Sequence, residues 1–175
     1  MIPPFRLEPL GTRDRSGFEC GVAALDQYFW TQVTQDARRR VTNCFVAIEA
    51  ATDRIAAFYT IASASVATGD LPEDVTKRLP RYPTLPTVRI GRLAVDHRFQ
   101  GNGLGTAMLA DAAYRILHAA PAVFTLLVDA MDDQAVAFYE HHGFRRFTSQ
   151  PRTLFLPMAT AEKAWLQSGG GWIAV

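Results

Sequence analysis

Apolar residues recur along this chain with two periods, and the changes between them divide it into elements. Alternation over Phe5–Leu10 predicts a first short strand. From Gly21 to Arg40, Leu25, Tyr28, Phe29, Val33 and Ala37 fall at helical spacing and predict one continuous helix. It closes on Arg38-Arg39-Arg40, whose charge suits the negative end of a helix dipole. Thr42–Glu49 and Ile55–Val66, joined by the turn Ala51-Thr52-Asp53-Arg54, predict a hairpin. Pro72–Leu79 predicts a short helix with Asp70 near its start. Pro80, Pro83 and Pro86 then argue for an irregular connection over residues 80–87. Thr87–Val95 predicts the next strand, and Gly103–Ala119 an amphipathic helix closed by Pro121. Val123–Val128 is a continuous apolar run of strand length, as a buried strand has. Asp132–His142 predicts a helix stopped by Gly143, and Phe144–Phe147 with Thr153–Leu156 a last pair of strands. The order β-α-β-β-α-β-α-β-α-β-β implies an α/β fold with mixed strand directions, in one domain over residues 1–167. The Gly-rich tail, residues 168–175, reads as flexible.

Composition narrows the classes. Of 175 residues, 49% are hydrophobic and 20% charged, a globular balance, and the net charge of +1 advertises no bulk attraction to nucleic acid or membrane. Among the 18 basic residues only Lys77 and Lys163 are lysines. This arginine bias suits phosphate binding, and a GC-rich genome also produces it. Cys20 and Cys44 form no disulfide framework, and no HxxxH or HExxH pattern supports a metal site. The start, MIPPFRLEPL, lacks a basic region followed by an apolar run. With no apolar stretch of 18 residues, the expectation is a cytoplasmic protein without a membrane partner.

The chemistry concentrates after Val95. The turn Asp96-His97-Arg98-Phe99 leads into Gln100-Gly101-Asn102-Gly103-Leu104-Gly105-Thr106 and a helix. Glycines let the backbone approach a ligand closely, and the N–H groups of a first helical turn favour an anion such as a pyrophosphate. The spacing is neither the dinucleotide fingerprint nor a Walker A loop, because no Gly-Lys-Ser/Thr follows.

Arg92-Leu93-Ala94-Val95-Asp96 together with Gln100, Gly103 and Gly105 resembles motif A of the GNAT acetyltransferases, Gln/Arg-x-x-Gly-x-Gly/Ala. Ala135-Val136-Ala137-Phe138-Tyr139-Glu140-His141-His142-Gly143-Phe144 resembles their motif B, A-x-x-F-Y-x-x-x-G-F. The resemblance covers roughly residues 5–160. It implies a central mixed, mostly antiparallel sheet of about six or seven strands with helices on both faces. It also implies a V-shaped splay between the strand ending at Val95 and strand 123–128. Acetyl-CoA would be the co-substrate, with its pantetheine arm along Leu93, Ala94 and Val95 and its phosphates at residues 100–106. Asp132, Ala135 and Phe138 would also line the cofactor, and Asp132 stands where the family often has asparagine. Tyr139 would protonate the departing sulfur.

No carboxylate stands out as a general base. Glu49, Asp129, Asp132, Asp133 and Glu140 are candidates by type, as is His97, whereas His141 and His142 adjoin a helix end and read as solvated. An α-amine is roughly 10–20% neutral at pH 7 and a lysine-like amine below about 0.1%, so an enzyme without a strong base suits the first.

Phe18-Glu19-Cys20-Gly21 through Leu25-Asp26-Gln27-Tyr28-Phe29, then Arg38-Arg39-Arg40 and Phe45-Val46, resemble one branch of the superfamily, the TacT/AtaT-like toxins of bacterial toxin–antitoxin pairs. That resemblance implies acetylation of the α-amine of aminoacyl-tRNA and a ribbon-helix-helix-type antitoxin. It also implies a homodimer, to which Trp172, Ile173 and Val175 are candidate contributors. Arg38, Arg39, Arg78, Arg81, Arg89 and Arg92 become candidate tRNA contacts. Two alternatives stay open: an acetyltransferase for a small amine or a protein N-terminus, and a non-catalytic acyl-CoA-binding regulator.

Overall fold

The computed structural model describes residues 4–169. Seven strands form one sheet in the order β1-β2-β3-β4-β5-β7-β6, where β1 is Phe5–Pro9, β2 Asn43–Glu49, β3 Ile55–Ala67, β4 Thr84–Val95, β5 Thr125–Asp129, β6 Arg145–Arg146 and β7 Thr153–Pro157. The helices are α1 Ala23–Thr31, α2 Val33–Arg38, α3 Glu73–Thr76, α4 Leu104–Leu117, α5 Asp133–His141 and α6 Met158–Gln167. The predicted mixed α/β sheet is thus present. The chain divides into two compact units, one holding residues 4–62 and 91–114, the other 63–90 and 115–169.

In the first unit, β1 pairs antiparallel with β2 and β2 with β3. Its core is aromatic. Phe29 stacks on Phe58 with centroids 4.1 Å apart, and Phe18 meets both rings edge-on. Tyr28, Phe29 and Val33 are buried and Leu25 packs against the same cluster, as the helical spacing anticipated.

The helix predicted over 21–40 is broken at Gln32, which leaves α1 and α2. The cause is Arg15, whose Nε donates to Phe29 O at 2.7 Å and whose Nη2 donates to Trp30 O at 3.2 Å. In an unbroken helix those carbonyls would accept from Val33 and Thr34. The face keeps its spacing across the break, so the core is unaffected. After α2 the backbone closes with Val41 N–H on Asp36 O and Arg40 in the left-handed region at φ 61°.

The second unit carries the one parallel ladder among the registered pairs, β4 with β5 from Thr87↔Thr125 to Ile90↔Val128. β7 then pairs antiparallel with both β5 and β6. Val66, Leu71, Leu85, Leu127, Phe147 and Phe155 form its core. Three expectations need correction here. β4 begins at Thr84 inside the proline-rich segment, because Pro86 needs only its carbonyl, which accepts from Phe124 N–H at 2.8 Å. β6 is two residues long rather than four. The helix Met158–Gln167 was not anticipated. Of the expected flexible tail, Ser168 and Gly169 continue from the helix end with N–H bonds to Ala164 O and Leu166 O, and the rest, with the Trp172, Ile173 and Val175 interface, lies outside the described residues.

Replacing Arg15 by leucine removes two charge-assisted hydrogen bonds to helix carbonyls. We expect it to lower unfolding free energy by about 2 kcal/mol in urea titrations.

Candidate active site

Beyond the last registered pair with β5, Ile90↔Val128, β4 continues five residues to Val95. Ala94 is buried in the core, whereas Leu93 and Val95 are half-buried. The 3-10 turn His97–Phe99 follows, and α4 begins at Leu104. Gly101 and Gly103 take φ of +83° and +77°, where other residues are strained, and a Cβ built on either meets no atom within 4 Å. Open space therefore lies where their side chains would be. The first intrahelical bond is Ala107 N–H to Gly103 O at 3.1 Å. Among the described residues, the N–H groups of Leu104 and Gly105 at the start of this helix show no helical acceptor, as an anion site requires. The side chain of Gln100 turns back onto the chain at the start of this loop. Its Nε2 donates to Val95 O at 2.9 Å and to Cys20 O at 3.0 Å.

A buried carboxylate fixes this loop. Asp96 has no exposed surface. It accepts from Arg98 N at 2.9 Å, Arg98 Nε at 2.9 Å, Arg98 Nη2 at 2.8 Å and Glu19 N at 3.0 Å. Burial alone would raise its pKa, but the Arg98 bonds and the two backbone N–H groups outweigh burial and hold it below the usual carboxylate value. Arg98 also donates to Gly17 O, and His97 N–H to Glu19 O. On the other side, Trp30 Nε1 donates to Phe18 O and Asp26 accepts from Cys20 N. Residues 17–20, which carry the N-terminal signature, are therefore laced to the turn that enters the glycine loop. Only the i, i+2 spacing of Asp96 and Arg98 hints at this network in the sequence.

Tyr139 lies in the second unit, in α5, buried beside Phe138 and Phe144. Burial pushes its phenol up to about 12, so it remains a proton donor through neutral pH. Asp132 caps α5, accepting from Ala135 N at 2.8 Å, which engages both of these expected cofactor residues with each other. Phe138 is half-buried between the rings of Tyr139 and His142. His142 is not solvated as expected, since it packs on Phe138 with centroids 4.8 Å apart, and burial followed by His141 lowers its pKa. His141 is exposed. His97, also exposed, places Nδ1 2.9 Å from Glu19 O.

The candidate bases are all engaged. Asp129 pairs with Arg89 and accepts from Thr153 Oγ1 at 2.9 Å. Glu140 pairs with Arg146 at 2.7 Å, Asp133 lies 3.5 Å from Arg152, and Glu49 accepts from Thr52.

The six candidate arginines divide between the units. Arg38, Arg39 and Arg92 belong to the first, Arg78, Arg81 and Arg89 to the second. Arg92 sits over the Tyr28 ring at 3.4 Å, and the Tyr28 hydroxyl donates to Asp36 at 3.0 Å. Arg89 is held by Asp129. Arg38, Arg39, Arg78 and Arg81 are exposed and form no side-chain hydrogen bond or salt bridge among the described residues.

Asp96→Asn tests the buried carboxylate. We expect a loss of about 2 kcal/mol at pH 7 in urea unfolding, below the usual value for a fully buried pair because Arg98 is partly exposed. A depressed folded-state pKa contributes stability above the ordinary carboxylate value of about 3.9 and loses it as pH falls through the lower folded value. The gap between variant and parent therefore narrows in acid.

Residues 78–160 match the family described as the acetyltransferase (GNAT) domain. A tRNA-acetylating toxin of Mycobacterium tuberculosis is 35% identical over 150 residues, spanning 85% of this chain and 88% of the relative. A probable toxin TacT of Sinorhizobium fredii is 29% identical over 165 residues, 88% of this chain and 91% of the relative. The solved structure of AtaT complexed with acetyl-methionyl-tRNAfMet superposes with a TM-score of 0.85 at 26% identity, covering 92% of this chain and 99% of AtaT. The fold, both motifs and this near-full-length likeness lead to one assignment: the chain belongs to the GNAT acetyltransferases, in the branch of the tRNA-acetylating toxins.

Proposed function

We propose that the chain transfers the acetyl group of acetyl-CoA to the α-amine of aminoacyl-tRNA and so blocks translation. The observation that carries this reading is the likeness to a tRNA-acetylating toxin over most of both chains. Acetyl-CoA supplies the acetyl thioester. Residues 100–106, with the left-handed Gly101 and Gly103 and the N-terminus of α4 at Leu104, receive its pyrophosphate. Leu93, Ala94 and Val95 offer strand-like backbone to the pantetheine amides, in the part of β4 that outruns its ladder. Asp132, Ala135 and Phe138 at the start of α5 complete the cofactor contacts. Tyr139 holds the proton that the departing sulfur takes, and residues 1–167 act as one catalytic domain.

The acceptor fits the acid–base inventory. Each candidate carboxylate is already held by an arginine, a hydroxyl or a helix terminus. An α-amine near pKa 7.7–8.0 needs little help to lose its proton at about neutral pH. Arg38, Arg39, Arg78, Arg81, Arg89 and Arg92 supply phosphate contacts. Within this reading the protein acts in the cytoplasm, forms a homodimer, and is held in check by a ribbon-helix-helix-type antitoxin. Among the described residues no helix is long and apolar enough to cross a membrane.

Tyr139→Phe should lower kcat on charged tRNA by about 10²–10⁴, with KM for acetyl-CoA nearly unchanged. In the parent the rate should rise with pH through the amine pKa of about 8 and stay level to about pH 10, because the phenol titrates only at about 12. Loss of turnover in one carboxylate variant as complete as in Tyr139→Phe would sink the reading without a base.

Phosphate contacts predict a second behaviour. Raising salt from about 50 to 200 mM should cost at least about tenfold in kcat/KM on charged tRNA. A flat profile removes the arginines from the interface.

A further inference from the structure

We propose that Tyr82 is a stacking platform for an unpaired base of the RNA, with Arg78 and Arg81 holding the adjoining phosphates. The inference rests on the tRNA reading above and adds a contact that neither motif contains.

The segment linking α3 to β4 is built to hold this side chain out. Leu79 packs inward against the core of Leu71, Leu85 and Phe155, and its N–H bonds Thr76 O at 2.9 Å. The two carbonyls around the ring are clamped by one threonine. Thr68 Oγ1 donates to Tyr82 O at 2.5 Å, and Thr68 N–H to Pro83 O at 3.0 Å. Tyr82 N–H closes a tight turn on Pro80 O at 2.8 Å. Pro80 and Pro83 stiffen the backbone on both sides. A loop this constrained loses little entropy on binding. Yet the Tyr82 side chain it presents is 58% exposed, more than any other aromatic among the described residues.

The charges around the ring select the partner. Lys77, Arg78 and Arg81 precede it within five residues. Of the acids on α3, Asp74 is engaged bidentately by Arg145, with oxygens at 2.8 and 3.0 Å. Arg78 and Arg81 are exposed without a side-chain partner among the described residues. A protein-docking anchor would sit among apolar neighbours that seal out water. This ring directly follows three cations in the chain, and a π-face beside basic side chains is the combination that grips single-stranded nucleic acid.

Equilibrium binding of uncharged tRNA, followed by anisotropy over a salt series, tests the proposal with Tyr82→Ala, Tyr82→Phe and Arg81→Ala. Base stacking is largely independent of salt. Tyr82→Ala should therefore bind about tenfold more weakly at every salt concentration with an unchanged slope. Tyr82→Phe, which keeps the ring face, should stay within about twofold of the parent. Arg81→Ala should instead flatten the slope by about one. The alanine variant should unfold at the parent's temperature, since the side chain is exposed. Equal binding by Tyr82→Ala overturns the proposal, as does equal weakening by Tyr82→Phe. A change in sedimentation that accounts for the loss also overturns it and makes Tyr82 a protein contact. If the parent binds no tRNA at all, the acceptor reading falls with it.

Discussion

Withdrawing a carboxylate completely from water costs several kcal/mol unless hydrogen bonds replace its hydration. Asp96 meets that condition with four donors, three from Arg98 and one from the backbone of Glu19. The constraint is mutual. Arg98 is held in place by the carboxylate it neutralises, and its remaining reach ties Gly17 to the same point. Gln100 repeats the device one turn later by bridging Val95 O and Cys20 O. The entry to the glycine loop is thus fixed at two points. The N-terminal signature and the phosphate motif, about 80 residues apart in sequence, are two sides of this one assembly.

The sheet contributes by what it leaves unpaired. β4 is twelve residues long, but only four of its residues register with β5. The registered ladder of β4 with β5 ends at Ile90, although strand geometry persists to Val95. Unpaired strand groups seek hydrogen-bonding partners. An amide-bearing arm is a natural one, and the glycine loop lies directly downstream in the chain.

Periodicity made most of the elements legible, because burial on one face is written in local spacing. The failures share a cause in contacts between residues far apart in sequence. Nothing near Gln32 announces a break, since the guanidinium that interrupts the helix belongs to Arg15. Pro86 reads as a strand breaker until its carbonyl is matched with Phe124. The helix from Met158 follows Pro157, which offers no capping side chain, and it buries only Met158 and Ala161, so neither a start signal nor a strong face marks it. The site shows the same division. The glycine spacing and Tyr139 are visible as local patterns. The engagement of Asp129 by Arg89, forty residues away, is not.

The engaged carboxylates have a chemical consequence. A desolvated phenol that titrates at about 12 can donate a proton at neutral pH but cannot accept one from an ammonium. If the carboxylates are held elsewhere, the acceptor must reach the thioester as a neutral amine by its own acidity. That would favour α-amines over ordinary lysine side chains, since the neutral fraction of an α-amine at pH 7 is roughly two orders of magnitude greater or more. Under the proposed acceptor, arginines on the RNA phosphates would act in the same direction, because a positive field disfavours the ammonium form and lowers the amine pKa. Cations that bind the RNA would therefore also help to deprotonate its aminoacyl group.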